Sequence, residues 1–124
     1  MSKPEHFEIL KERAVFRPTG QVSIGQMTEL VATAIGFARS SNIRKLLVDI
    51  TNLTGFEPPD LGLRYFIIHE WARAAGRTVR VALVVRPEMI DHKKFGTTVA
   101  ENLGFVADGF TTEEAALNWL WRVE

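Results

Sequence analysis

Asp49 is the one acid inside an otherwise apolar run, Leu46-Leu47-Val48-Asp49-Ile50. A carboxylate in such surroundings must find hydrogen-bond donors or keep its proton. Its place near the carboxyl end of a strand matches the position where open α/β sheets form ligand crevices. Two roles fit: a ligand or catalytic contact, or a local tie to backbone N–H groups of the loop at residues 52–55. Short polar side chains commonly bond locally, so the local role is the expectation. The histidines give less. His69-Glu70 and Asp91-His92 lack the spacing that sets two imidazoles on one helix face, and His6 stands apart from both.

The rest of the inventory excludes more than it assigns. With no cysteine there is no disulfide framework, thiolate zinc site, iron–sulfur cluster or cysteine nucleophile. No serine nucleophile elbow, phosphate-binding glycine loop or dinucleotide fingerprint is present. The expectation is a non-catalytic chain without cofactor or metal. Fifteen basic residues balance fifteen acidic ones, so there is no overall pull toward nucleic acid or an anionic membrane. No apolar run reaches the ~18 residues of a membrane span. The start, Met1-Ser2-Lys3-Pro4-Glu5-His6, lacks the apolar core of a signal peptide, and a cytoplasmic location is expected. At 124 residues one domain, 1–124, is the natural size.

The elements that must position these residues follow from periodicity. Phe7–Leu10 and Ala14–Arg17 read as short antiparallel strands, with Pro18-Thr19-Gly20 as a turn. Ser23 and Gln26 form a capping box opening a helix whose apolar arc is Met27, Leu30, Val31, Ala34, Ile35, Phe37 and Ala38, with Thr28 opposite. The runs Leu46–Ile50 and Val79–Val85 show no alternation, as strands covered on both faces do. Between them Asp60–Ala75 is helical and closed by Gly76, which makes a βαβ crossover. A third helix is expected from Ile90 or Asp91 to Leu103, with Gly104 beyond it and Gly109 as a second turn glycine. Phe105–Ala107 gives a last strand, and a capping box at Thr111 and Glu114 opens a last helix through Trp121. The sum is a mixed α/β sheet of four or five strands, helices on both faces, in the order β-β-α-β-α-β-α-β-α.

This pattern resembles the STAS domain superfamily, specifically its SpoIIAA-like, or STAS/SEC14-like, branch, over nearly the whole chain. The resemblance rests on Phe16-Arg17-Pro18-Thr19-Gly20-Gln21-Val22, on residues 45–56 (KLLVDITNLTGF), on Val81–Val85 and on residues 112–120 (TEEAALNWL). It implies a regulatory, protein-binding role. Anti-sigma-factor antagonists of that family carry a phosphorylatable Ser or Thr at the start of the helix after the central strand. Here the junction reads Phe56-Glu57-Pro58-Pro59-Asp60-Leu61-Gly62 and has no hydroxyl residue. Thr54 is the nearest, with Thr51 before it, and a phospho-switch is disfavoured. Glu57 and Asp60 either imitate a fixed charge or complement the helix dipole; the second is the expectation. The SEC14-like side of the resemblance implies a second possibility, carriage of a small apolar ligand or lipid lined by Phe56, Phe66, Trp71 and Phe95.

Two further features concern partners. The 60–75 helix holds two apolar stripes: Leu61, Tyr65, Ile68, Trp71, Ala72 and Ala75, and, turned away from them, Leu63, Phe66, Ile67 and Ala74. Two apolar faces call for cover on both sides. The second cover is a neighbouring helix, an apolar ligand or another subunit, and a homodimer touching through Leu63, Phe66, Ile67 and one tryptophan is expected. Trp119 and Trp121 lie about 200° apart on a helical wheel, so one of them leaves the core. Charge is also uneven along the chain. Residues 64–94 carry Arg64, Arg73, Arg77, Arg80, Arg86, Lys93 and Lys94 against Glu70, Glu88 and Asp91. Residues 95–124 carry Arg122 against Glu101, Asp108, Glu113, Glu114 and Glu124.

Overall fold

The two unalternating apolar runs form the centre of a five-stranded sheet. The computed structural model describes residues 2–11, 13–90 and 94–122, and of Phe95 the backbone alone. In chain order the elements are β1 (Phe7–Leu10), β2 (Arg13–Phe16), β3 (Gly20–Gln21), α1 (Ile24–Ser40), β4 (Lys45–Asp49), β5 (Leu53–Thr54), α2 (Leu61–Ala75), β6 (Arg80–Val84), a 3-10 turn at Pro87–Met89, α3 (Phe95–Asn102), β7 (Ala107–Phe110) and α4 (Glu113–Arg122). The main sheet has the order β1-β2-β4-β6-β7. Only β1 is antiparallel to its neighbour. This is the expected α/β architecture. It also contains a two-residue parallel ladder, β3 with β5, built from segments that read as turn and loop.

From β2 onward the chain steps across the sheet in one direction. Right-handed crossovers then place α1, α2 and α3 on the same face. Of the described helices, α4, which follows the last strand, alone covers the other. The core divides accordingly: Phe16, Val31, Ile35, Leu46, Val48, Val81 and Phe105 on one face, and Val15, Leu47, Ala82, Val84, Ala116 and Leu120 on the other. Alternation along β4 turns Leu47 and Asp49 toward α4.

Local chemistry explains most element ends. The Ser23–Gln26 capping box forms with both reciprocal bonds. Asp60 caps α2, and Gly76 ends it in the left-handed conformation at φ 57°. Several expectations are corrected. Leu30 is exposed, whereas Thr28 is buried where α2 packs on α1. α3 begins at Phe95 rather than near residue 90, because the 3-10 turn delivers Ile90 in extended backbone. The last strand is Ala107–Phe110, not 105–107. Gly104 and Phe105 instead donate to the Glu101 and Ala100 carbonyls at 3.0 and 2.8 Å, a Schellman closure that buries the Phe105 ring under α3. Gly109 accordingly is a strand residue paired with Leu83. The cap of α4 is Thr112, whose hydroxyl accepts from the Ala115 N–H at 3.1 Å, so the start lies one residue later than the Thr111–Glu114 spacing implied.

Candidate functional site

The carboxyl ends of the parallel strands carry the acids singled out above. Asp49 Oδ1 accepts from the Thr51 N–H at 2.9 Å and from the Thr51 hydroxyl at 2.6 Å. Its tie is local, as expected, but to Thr51 rather than to residues 52–55. Across from it Glu113, in the first turn of α4, receives two 2.8 Å bonds from the Arg17 guanidinium, Nε to Oε2 and Nη2 to Oε1. Glu8 lies 3.9 Å from the same guanidinium. Arg17 holds Glu113 down to about 2, and its hydrogen bond with Asp49 acts in the same direction. Asp49 moves the other way, first through burial and then through its bond to Glu113, so of the two carboxyls Asp49 is the one that takes up a proton first as the pH falls. Neither Arg17 nor Glu113 was a candidate in the sequence. No local spacing links residues 96 apart.

At the start of α2, Asp60 Oδ1 accepts from the Leu63 N–H at 2.8 Å, the cap that complements the helix dipole. Glu57 lies exposed in the approach to it. Thr54 is exposed in β5, where its carbonyl accepts from the Val22 N–H at 2.8 Å.

The apolar surplus of α2 divides differently from the two stripes read in the sequence. Ile67, Trp71 and Ala75 are buried together, and Leu63 packs half-buried on the same core. The Trp71 indole donates to the Thr28 carbonyl of α1 at 3.0 Å. α2 is the middle helix of its face, flanked by α1 and α3, so Ile67 and Trp71 are covered within the chain. The uncovered residues are Leu61, Tyr65 and Phe66, at 63%, 49% and 55% exposure, all in the amino-terminal part of α2. Of the tryptophans, Trp119 packs half-buried beside Phe110, ring centroids 5.6 Å apart. Trp121 is the one that leaves the core, 60% exposed with Arg13 stacked 3.7 Å above its ring.

Behind α2 a partly enclosed pocket of about 130 Å³ lies between α2, α3, β6 and β7, walled by Met27, Ile67, Ile68, Trp71, Leu83 and Phe105. Its polar wall is largely self-satisfied: Lys94 and Thr97 both bond Asp108, at 2.9 and 3.1 Å. Of the residues expected to line a ligand site, Trp71 does so. Phe66 points to the outside and Phe56 packs on the core apart from the pocket. The Phe95 ring, like Asp91 and His92, lies outside the described residues. Among the described residues no cluster of three His, Asp or Glu side chains suits a metal, and no helix is long and apolar enough to cross a membrane.

No protein-family model and no curated protein matches the chain. Solved structures do. An anti-sigma factor antagonist from Mycobacterium paratuberculosis aligns over 93% of this chain and 91% of its own, with 17% identity and a TM-score of 0.58. The unphosphorylated anti-sigma factor antagonist SpoIIAA aligns over 94% and 97% at 17% identity and a TM-score of 0.46. An uncharacterized protein with a SpoIIAA-like fold from Shewanella loihica aligns over 97% and 98% at 23% identity and a TM-score of 0.48. The chain therefore has the fold of the first of these, SpoIIAA-like, as its sequence pattern indicated.

Proposed function

We propose that the chain is a non-catalytic regulatory module that works by protein–protein contact, and that the partner at its α2 surface is a second copy of itself. The observation that carries this is the exposed group Leu61, Tyr65 and Phe66 beside the loop that leads into α2. Three large apolar side chains uncovered on one short stretch of helix are costly to leave in water and are used as contact surface. The shared fold with an anti-sigma factor antagonist supports a regulatory reading. A phospho-switch of that kind is disfavoured, because the junction at residues 56–62 holds no hydroxyl residue and its Asp60 carboxylate is engaged as a helix cap.

Light scattering coupled to size exclusion tests the proposal. The unmodified chain is expected to elute as a dimer at high micromolar concentration and Phe66→Asp as a monomer; a monomer in both cases would sink it. A second reading, carriage of an apolar ligand, is supported by the pocket behind Trp71. Its volume is near that of the ~150 Å³ cavities that hold a benzene ring, which favours a ring-sized molecule over a long-chain lipid. Native mass spectrometry of the purified chain separates the two readings, since carriage requires a co-purifying small molecule.

A further inference from the structure

The parallel strands of the main sheet, β2, β4, β6 and β7, start at one pole of the molecule, and the described helices α1 to α4 end there. That pole collects Lys11 from the β1–β2 turn, Arg13, Arg44, Lys45 and Arg80 from the strand starts, and Arg39, Arg77 and Arg122 from the helix ends. The net neutrality of the chain hides this concentration, and the uneven segments read along the sequence do not describe it: Arg64, Arg86 and Lys94 stand toward the opposite pole. Among the described residues, the ion pairs join Arg17 to Glu8 and Glu113, Arg73 to Glu70, Arg86 to Glu88 and Lys94 to Asp108. None involves the eight basal cations. Glu101 is the acid that the described residues place at that pole; Glu12 and Glu124 lie outside them.

The lowest rung of the sheet shows the arrangement most clearly. Leu10 pairs with Arg13, Arg13 with Lys45 and Lys45 with Arg80. Continuing the β6–β7 register sets Val106 beside Arg80. The rung thus reads Leu, Arg, Lys, Arg, Val from edge to edge, over about 19 Å at the usual strand spacing. Like charges abreast on neighbouring strands destabilise a sheet, so stability alone does not account for three of them. Helix ends account for part. Lys45 Nζ donates to the Trp121 carbonyl at 3.3 Å, the Arg39 guanidinium lies against Gly76, and that of Arg77 against Gly104. Four helix termini, however, supply only roughly half a negative charge each, far less than eight cations. The remaining positive field is bordered by exposed apolar groups: Leu10 at 45%, Val106 at 38% and Trp121 at 60% exposure.

From this arrangement we infer that the basal pole docks on an anionic lipid surface. Charge complementarity selects a polyanion, and the aliphatic rim decides which one. Leu10 and Val106 have nothing to stack on in a nucleic acid but enter the headgroup region of a bilayer, where an indole such as Trp121 is also favourably placed. This docking is peripheral and leaves the α2 surface free.

Co-sedimentation of the full chain with phosphatidylcholine vesicles, with and without phosphatidylserine, tests the inference. The chain is expected to sediment with the phosphatidylserine vesicles at low salt, to release at high salt, and to ignore phosphatidylcholine alone. Lys11→Glu with Arg44→Glu, two exposed positions, should weaken partitioning by about ten- to a hundredfold, whereas Phe66→Asp should not change it. Trp121→Ser should remove a blue shift of indole emission on binding. No sedimentation with phosphatidylserine at low salt, or equal sedimentation with phosphatidylcholine alone, overturns the inference. Tighter binding of a single-stranded polyuridine than of the anionic vesicles overturns the choice of partner. If the double variant fails to fold, as far-ultraviolet dichroism would reveal, the salt response of the unmodified chain still decides.

Discussion

Arg17 and Glu113 close a two-bond fork, both bonds 2.8 Å, across 96 residues of chain. The fork joins the end of β2 to the first turn of α4, which among the described residues is the one helix on its face of the sheet. Beyond Glu113 sits Asp49; the guanidinium lowers Glu113 while burial and Glu113 raise Asp49, so the two carboxyls titrate in opposite directions from their ordinary values. Replacing Glu113 by Gln is expected to cost about 1 kcal/mol at neutral pH, because Arg17 is half-exposed and the pair is screened. It should also lower the Asp49 titration point by removing the neighbouring carboxyl. Urea unfolding measures the first effect and carboxyl-carbon NMR the second.

The same pair sets a pH dependence with two opposed limbs. Glu113 titrates near 2 in the folded chain against an ordinary 4.5, so its contribution is complete above about 4.5 and is lost as the pH falls toward 2. Asp49 is raised, so its folded form binds a proton more tightly than the unfolded chain does, and stability increases as the pH falls through that raised value. Unfolding midpoints followed from neutral to acid should rise slightly before they fall. Asp49→Asn should abolish the rise and leave the fall. A monotonic decline in the unmodified chain would contradict this assignment of the proton.

Trp71→Phe tests the junction of α1 and α2. The ring volume is largely retained, but the Thr28 carbonyl loses its 3.0 Å donor in a buried position. The expected cost is about 1–3 kcal/mol, read as a lower urea midpoint with an unchanged slope.

Leu120→Ala tests how far one face depends on α4. Leu120 is 2% exposed and packs in the cluster with Val15, Leu47, Ala82 and Val84. A loss of about 2–5 kcal/mol is expected. Phe66→Asp, at a 55% exposed position, should change the midpoint by less than about 0.5 kcal/mol and act on self-association instead.

Gly76→Ala should be costly because of the backbone conformation at this position. Its φ of 57° lies in a region that disfavours a side chain by about 1–2 kcal/mol, whereas the exposed Arg39 guanidinium that an added Cβ would meet can swing aside. Thermal melts of G76A measure the loss.

Local chemistry carried the sequence reading a long way. The Ser23–Gln26 box, the Asp60 cap, Gly76 and the two unalternating apolar runs each act within a few residues of chain, so type and spacing were enough to place α1, β4, α2 and β6. Asp49 was legible as a locally tied acid for the same reason. Where a neighbour distant in sequence decides, the reading went astray. Phe105 looked like strand because it is apolar and β-favouring, yet the Schellman closure of α3 claims its N–H. Ile67 looked like contact surface because a helical wheel cannot say that α1 and α3 stand on either side of α2.

By itself, then, the sequence determined a cysteine-free α/β chain with the SpoIIAA-like order of elements, and an apolar surplus on one helix. Only the tertiary structure decided which part of that surplus stays uncovered, Leu61, Tyr65 and Phe66, and which charges meet. The fork of Arg17 with Glu113 and the basal row Arg13, Lys45 and Arg80 arise because parallel strands bring the starts of distant segments to one pole and their ends to the other. That gathering is a property of topology, and residue spacing along the chain does not encode it.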